Sequence, residues 1–112
     1  MRGQSFGLIS AKDVIKYTSR QDIIFIDLRD REEYEEGHIG RAFHLTIEQI
    51  EANDYCLAKE YGYILYCNHG GVSMQAAALI SDGEVQVCSL VGGFEEYEIF
   101  MRSLVDRKRG KL

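Results

Sequence analysis

The sequence predicts an α/β fold in which a small parallel β-sheet of about five strands is flanked by helices on both faces. Short apolar segments alternate with helical patterns along the chain, as in consecutive βαβ units. Residues 23–26 are four apolar residues in a row without alternation, which is typical of a strand covered on both faces. With 112 residues, the chain suits one domain, residues 1–112, built around a single core.

The first predicted elements are a strand at residues 6–9 and a short helix after it. Ser10 is placed to cap this helix, and Asp13, three residues later, completes a variant of the capping box. The second strand, residues 23–26, leads into a turn that begins at Asp27. We expect this turn at the carboxyl edge of the sheet, where open α/β sheets bind their ligands.

The middle of the chain contains two more capping patterns. Asp30 begins a short acidic helix with a capping box, and Gly37 ends this helix. Residues 42–45 predict a third strand, and Thr46 is placed to cap a short helix after it. Residues 51–61 have a weaker helical pattern and are predicted to be helical in part.

The second half of the chain continues the alternation of strands and helices. Residues 62–66 are an apolar, aromatic-rich segment that begins with glycine, which predicts a buried strand. A helix is predicted from Ser73, with Gly83 placed to terminate it. Residues 84–88 predict another strand, and the last amphipathic helix is expected to start near Phe94.

The composition excludes several classes of function. A formal net charge of -5 argues against a nucleic-acid partner. No segment approaches the roughly 18 apolar residues of a membrane span, and the N-terminal residues carry no signal-peptide pattern. Three cysteines without paired close spacings suggest neither a disulfide framework nor a zinc site. We therefore expect a cytoplasmic protein with no membrane partner and no bound metal.

Cys67 is the main candidate for a functional residue because it lies between the strand at residues 62–66 and the helix that follows. A loop that runs into a helix N-terminus presents backbone N–H groups without partners, and these groups and the helix dipole favour an anion. A thiolate in this position is stabilised and becomes a nucleophile. The alternative is an inert cysteine buried at the end of a strand.

Three segments of the chain resemble, in order, the signatures of one protein family. The first signature comprises residues 27–34 and 37–39 and Ala42. The second is residues 67–73, called the cysteine loop below, and the third is residues 91–97, with Tyr97 where the family usually has Trp. Together these segments resemble those of a single-domain rhodanese, and the resemblance extends over nearly the whole chain.

The resemblance implies a sulfurtransferase that moves sulfane sulfur from a donor to an acceptor. It implies a persulfide on Cys67. The outer sulfur of this persulfide would be held by the backbone amides of Asn68, His69, Gly70, Gly71, Val72 and Ser73. The donor would be thiosulfate, a polysulfide, or the persulfide of a small molecule or protein, and the acceptor would be a thiol or cyanide. No metal or organic cofactor is implied.

The chain departs from the family pattern at Val72, where Arg, Thr or Ser is common. The lost polar or cationic contact makes thiosulfate, a dianion, a less favourable donor. Arg29 is expected on the same edge and could supply positive charge at the rim of the pocket, and His69 could donate a hydrogen bond. A structural pairing of Arg29 with Asp27 or Glu33 is an equally open interpretation.

Other interpretations of the same residues lead to different functions. Phosphatases of related fold need an arginine six residues after the cysteine, and here Ser73 occupies that position. The sequence therefore argues against phosphatase activity.

The other two cysteines are predicted to be structural. Cys88 is predicted to be a buried strand residue, although it could resolve a persulfide into a disulfide. Cys56 is predicted to fill the core. The main rival hypothesis is a catalytically idle rhodanese-like module that binds or regulates a partner protein.

Overall fold

The computed structural model describes residues 6–80 and 85–110 of the chain. Their strands are β1 (Gly7–Ile9), β2 (Ile23–Asp27), β3 (Phe43–His44), β4 (Gly62–Tyr66) and β5 (Gln86–Leu90). Their helices are α1 (Ala11–Val14, continued by a 3₁₀ turn at Ile15–Tyr17), α2 (Arg31–Glu36), α3 (Ile47–Glu51), α4 (Gly71–Ile80) and α5 (Gly93–Gly110).

The five strands form one sheet in the order β1-β5-β4-β2-β3, and every neighbouring pair is parallel. The predicted α/β fold with a small parallel sheet is therefore confirmed. Because parallel strands end at the same edge, β2, β4 and β5 deliver the residues that follow them to one side of the molecule.

Apolar side chains form a core on each face of this sheet. The core beneath α3 and α4 contains Ile26, Leu28, Ile50, Tyr63, Leu65, Cys67, Ala76, Ala77, Ile80 and Val87. The core beneath α1 and α5 contains Ala11, Val14, Phe25, Ile39, Ala42, Ile64, Tyr66 and Leu90. Alternate residues of β4 point into opposite cores, as the two-residue period of a strand requires. Both faces are thus covered by helices, as predicted.

The capping patterns form the helix starts that the sequence predicts. Ser10 Oγ accepts a hydrogen bond from the amide of Asp13 at 3.2 Å at the start of α1. Asp30 begins α2 with both hydrogen bonds of a capping box, whose second partner is Glu33. Thr46 caps α3 in the same way. These interactions span three residues, so the local sequence is enough to specify them.

The predicted partial helix at residues 51–61 is wrong beyond Glu51, where α3 ends. Ala52 still donates its amide to the carbonyl of Glu48 at 3.0 Å, but Asn53 has a φ of 56°. This left-handed conformation terminates the helix, and the segment that follows is irregular up to β4.

α4 begins at Gly71, two residues before the predicted start at Ser73. The carbonyl of Gly70 already accepts the amide of Met74 at 3.1 Å, so the cysteine loop runs directly into the helix. Gly83, the predicted terminator of α4, lies outside the described residues.

The predictions of the last strand and the last helix are confirmed with shifted bounds. The predicted strand at residues 84–88 corresponds to β5, which extends to Leu90, and residue 84 lies outside the described part. α5 begins at Gly93, one residue before Phe94. Within residues 6–80 and 85–110, no helix combines the length and apolar character needed to cross a membrane.

Candidate active site

The cysteine loop follows β4 and is joined to neighbouring elements through its backbone. The carbonyl of Cys67 accepts the amide of Phe94 at 2.8 Å, and the carbonyl of Asn68 accepts that of Glu95 at 3.2 Å. These donors are among the first amides of α5, which have no partners within their own helix. The ends of β4 and β5 therefore meet at one edge.

The thiol of Cys67 is enclosed by this loop, and the residue is only 4% exposed. The amides of Gly70 and Ser73 donate hydrogen bonds to Cys67 Sγ at 3.1 and 3.3 Å. Amides fixed in this direction stabilise negative charge on sulfur without having to reorient during a reaction. A cysteine that only filled the core would not need two amides directed at its sulfur.

Ser73 links the cysteine to the core of the sheet. Cys67 Sγ lies 3.7 Å from Ser73 Oγ, which donates to the carbonyl of Gly70 at 3.1 Å. The hydroxyl oxygens of Ser73 and Ser89 are 2.8 Å apart, and neither residue is exposed. Ser89 was not predicted as a site residue, because β5 contains a second polar residue, Gln86, and no local pattern sets Ser89 apart.

Two glycines allow the segments of the site to approach one another. Gly70 has a φ of 108°, and a Cβ added there would lie 3.2 Å from the amide nitrogen of Gly92. Gly93 has a φ of 66°, and its Cβ would overlap the carbonyl oxygen of Cys67. Both positions combine a left-handed conformation with close contact, so both require glycine.

The side chains of the two residues after Cys67 contact acidic groups. Asn68 Nδ2 donates to both carboxylate oxygens of Glu33, at 3.2 and 3.3 Å, which joins the loop to α2. His69 Nδ1 lies 2.9 Å from a carboxylate oxygen of Glu95, and both side chains are exposed. The structure therefore places His69 against the start of α5.

Arg29 is buried, at 7% exposure, and takes the structural role that the sequence left open. Its guanidinium donates to both carboxylate oxygens of Asp27 and to the carbonyl of Gly37, and it lies over the ring of Phe94. Burial opposes the charge, but the hydrogen bonds and charge of Asp27 outweigh it and raise the pKa of Arg29. Its charge is thus matched by Asp27 inside the protein.

Gly71 and Val72, the remaining loop residues, begin α4 on the surface. The Val72 side chain is 39% exposed and brings no polar group to the mouth of the loop. The loop amides that donate to Sγ in this structure are those of Gly70 and Ser73.

Cys88 faces away from Cys67. It packs with the core beneath α1 and α5, whereas Cys67 belongs to the core on the other face of the sheet. Burial raises the pKa of the Cys88 thiol, which makes it a weak nucleophile. The interpretation of Cys88 as a strand residue therefore fits the structure, and a role as resolving partner of Cys67 does not.

Cys56 is exposed, so its prediction as a core residue is wrong. It lies in the irregular segment after α3 and forms part of a cavity of about 390 Å³. Cys67 does not line this cavity. The lining residues are Ile24, Ile26, Phe43, His44, Leu45, Tyr55, Cys56, Leu57, Ala58, Tyr61 and Tyr63.

In the described ranges, no three His, Cys, Asp or Glu side chains are grouped to hold a metal ion.

Comparison with known sequences identifies similar proteins. The Rhodanese-like domain family matches residues 10–99. A curated relative, the thiosulfate sulfurtransferase GlpE of Coxiella burnetii (strain RSA 331 / Henzerling II), is 36% identical over 92 residues. The alignment covers 80% of this chain and 85% of the relative.

Solved structures share the fold. A rhodanese-related protein from Thermoplasma volcanium superposes with a TM-score of 0.75 at 20% identity, covering 83% of this chain and 91% of that one. The BH2092 protein from Bacillus halodurans superposes with a TM-score of 0.71 at 29% identity, covering 82% and 71% of the two chains.

Proposed function

Because this chain belongs to the rhodanese-like domain family and is a sulfurtransferase of the rhodanese type, we propose that it transfers sulfane sulfur through a persulfide on Cys67. The observation that carries the proposal is the pair of backbone amides, from Gly70 and Ser73, that donate to Cys67 Sγ. A thiol that only filled the core would not need two donors directed at its sulfur.

In the first step, the Cys67 thiolate attacks the outer sulfur of the donor. The sulfur–sulfur bond of the donor breaks, and the leaving group departs with the electron pair. With thiosulfate the leaving group is sulfite, and with an organic persulfide it is a thiolate. The product is the Cys67 persulfide, and no external oxidant or reductant is needed.

In the second step, an acceptor attacks the outer sulfur of the Cys67 persulfide. The bond between the two sulfurs breaks, and the electron pair returns to Cys67 Sγ as a thiolate. An acceptor thiol becomes a persulfide, and cyanide becomes thiocyanate. The backbone amides of the cysteine loop would hold the outer sulfur between the two steps, and Gly70 and Ser73 would stabilise the thiolate at the end of each cycle.

The donor and acceptor are small molecules or proteins that carry sulfane sulfur or a thiol, and the chemistry requires no metal or organic cofactor. The competing proposal, a catalytically idle binding module, predicts no covalent step at Cys67. The amides directed at Sγ favour the enzyme, because partner recognition alone does not require a stabilised thiolate.

The first prediction is a persulfide on Cys67. Incubation of the reduced protein with thiosulfate, and separately with polysulfide, is expected to add one sulfur, a gain of about 32 Da. Intact-protein mass spectrometry measures the gain, and cyanide should remove it.

Two variants serve as controls. Cys67→Ser should show no cyanide-sensitive gain, whereas Cys56→Ser, which removes an exposed thiol away from the loop, should gain sulfur as the unmodified protein does. A folded, reduced protein that gains no sulfur from either donor would contradict the enzyme and favour the binding module.

A further inference from the structure

The mouth of the cysteine loop has an acidic and apolar environment. We propose that the preferred sulfur donor is an organic persulfide or thiosulfonate, with at most one negative charge at the reacting group, in place of the thiosulfate dianion. This inference rests on the proposed Cys67 persulfide, and it names the class of donor that the same site selects.

The first observation is the absence of basic residues from the chain around the site. The sequence contains no Lys or Arg between Lys59 and Arg102. This interval includes β4, the cysteine loop, α4, β5 and the start of α5, so no Lys or Arg of these elements can attract an anionic donor.

The second observation is that acidic side chains contact the loop. Glu33 accepts hydrogen bonds from Asn68, and Glu95 lies within hydrogen-bond distance of His69. Asn68 and His69 are the two residues directly after Cys67. The carboxylates of Glu33 and Glu95 add negative potential beside the cysteine loop, and repulsion from this potential doubles when the charge of the donor doubles.

The third observation concerns Arg29, the cation of the first signature. Its charge is matched by Asp27 through hydrogen bonds of 2.8 to 3.2 Å, and the residue is only 7% exposed. An arginine paired in this way inside the protein cannot turn outward to hold a sulfonate group without breaking a buried ion pair.

The fourth observation is the apolar surface beside the loop. Val72 lies between the two residues whose amides donate to Cys67 Sγ, and its side chain is 39% exposed. Val91, at 49% exposure, immediately precedes Gly92, which is packed against Gly70. Exposed aliphatic groups in these positions would contact an organic substituent on the donor and offer no hydrogen bond to a sulfonate oxygen.

Two donors that differ in charge and in apolar substituent test this preference. Thiosulfate has the outer sulfur bonded to a sulfonate, whereas benzenethiosulfonate replaces one charged oxygen by a phenyl ring. With the second donor, the Cys67 thiolate attacks the outer sulfur, the sulfur–sulfur bond breaks, and benzenesulfinate departs with the electron pair. Both reactions give the same Cys67 persulfide, so one assay follows both.

The test measures kcat/KM for the two donors with cyanide as acceptor. Each value is divided by the rate of the same donor with a free thiol, which removes differences in intrinsic reactivity. We expect the normalised value for benzenethiosulfonate to exceed that for thiosulfate by about 10-fold or more.

Substitutions of Val72 then test whether the missing positive charge causes the preference for benzenethiosulfonate. Val72→Arg is expected to shift the ratio of the two values toward thiosulfate by about 10-fold relative to Val72→Gln, which adds a polar side chain without charge. Leu79→Arg adds the same charge at an exposed position of α4 away from the loop and should change the ratio by less than about 2-fold.

The outcomes distinguish this inference from the proposed function. A wild-type protein that prefers thiosulfate after normalisation, or a Val72→Arg variant with the same ratio as Val72→Gln, would overturn the donor selectivity and leave the persulfide enzyme intact. A wild-type protein that forms no cyanide-sensitive adduct with either donor would overturn both.

Discussion

At the scale of single residues, the hydroxyl of Ser73 connects Cys67 to the sheet. It lies between Cys67 Sγ and the hydroxyl of Ser89, and it donates to the carbonyl of Gly70. Because Ser73 and Ser89 are both fully buried, each depends on the other for a hydrogen bond that solvent cannot replace. The geometry of the loop is therefore coupled through Ser73 to a residue of β5.

This coupling predicts the effect of removing either hydroxyl. Ser73→Ala would leave the Ser89 hydroxyl buried without the partner seen here, so we expect the free energy of unfolding to fall by about 1–3 kcal/mol. The double variant Ser73→Ala/Ser89→Ala removes both groups and should lose less than the sum of the single variants. Urea unfolding measures the stabilities, and strictly additive losses would show that the two hydroxyls are not coupled.

At the scale of elements, the start of α5 holds the cysteine loop in place. Its first amides are bonded to carbonyls of Cys67 and Asn68, and this contact is possible because Gly93 has no side chain. Cys67 is thus positioned by the helix that follows β5 as well as by the loop that contains it. A change at Gly93 should affect stability and sulfur transfer together.

We predict that Gly93→Ala lowers both the melting temperature and the formation of the Cys67 persulfide. The new Cβ would overlap the Cys67 carbonyl, and alanine in this left-handed conformation costs about 1–3 kcal/mol even without the overlap. Gly37→Ala is the matched control, because a Cβ at Gly37 meets nothing within 4 Å. Equal melting temperatures for the two variants would refute the proposed role of Gly93.

Local contacts at the helix starts could be predicted from the sequence, whereas the bounds of some helices could not. Caps at Ser10, Asp30 and Thr46 were predictable because each is a contact across three residues. The irregular segment after α3 could not be predicted, because the left-handed turn at Asn53 overrides a weak helical propensity. α4 begins earlier than its composition suggests because Gly70 accepts the first helical hydrogen bond.

Among the residues of the site, too, only those in a local sequence pattern could be predicted. Cys67 and its loop could be singled out because a strand, a thiol and two glycines are contiguous in the sequence. Ser89 could not, because its contact with Ser73 depends on the register that pairs β5 with β4. The burial of Arg29 and the exposure of Cys56 likewise follow from packing between distant segments, which no local pattern encodes.

At the scale of the whole molecule, the charge distribution has a consequence for how substrates approach. The net charge is -5, and the cations nearest in sequence to the cysteine loop are Lys59 and Arg102. A dianion approaching this edge is repelled by the protein as a whole as well as by Glu33 and Glu95. Long-range repulsion of this kind weakens as dissolved salt shortens the distance over which charges act.

We therefore expect salt to accelerate the reaction with thiosulfate. Raising KCl from about 0.02 M to about 0.5 M should increase kcat/KM for thiosulfate several-fold and that for benzenethiosulfonate by a smaller factor. Stopped assays at constant pH measure both rates. A decrease with salt would contradict the repulsion, because it would reveal a cationic site that attracts thiosulfate.

The position of Cys88 across the sheet from Cys67 has a consequence for damage by oxidants. A thiolate exposed to peroxide becomes a sulfenic acid, which is rescued when a second thiol condenses with it before further oxidation makes the change permanent. Cys88 cannot serve as that second thiol, because the sheet separates the two side chains. An oxidised Cys67 must therefore be rescued by a thiol other than Cys88, either from a small molecule or from an exposed cysteine such as Cys56.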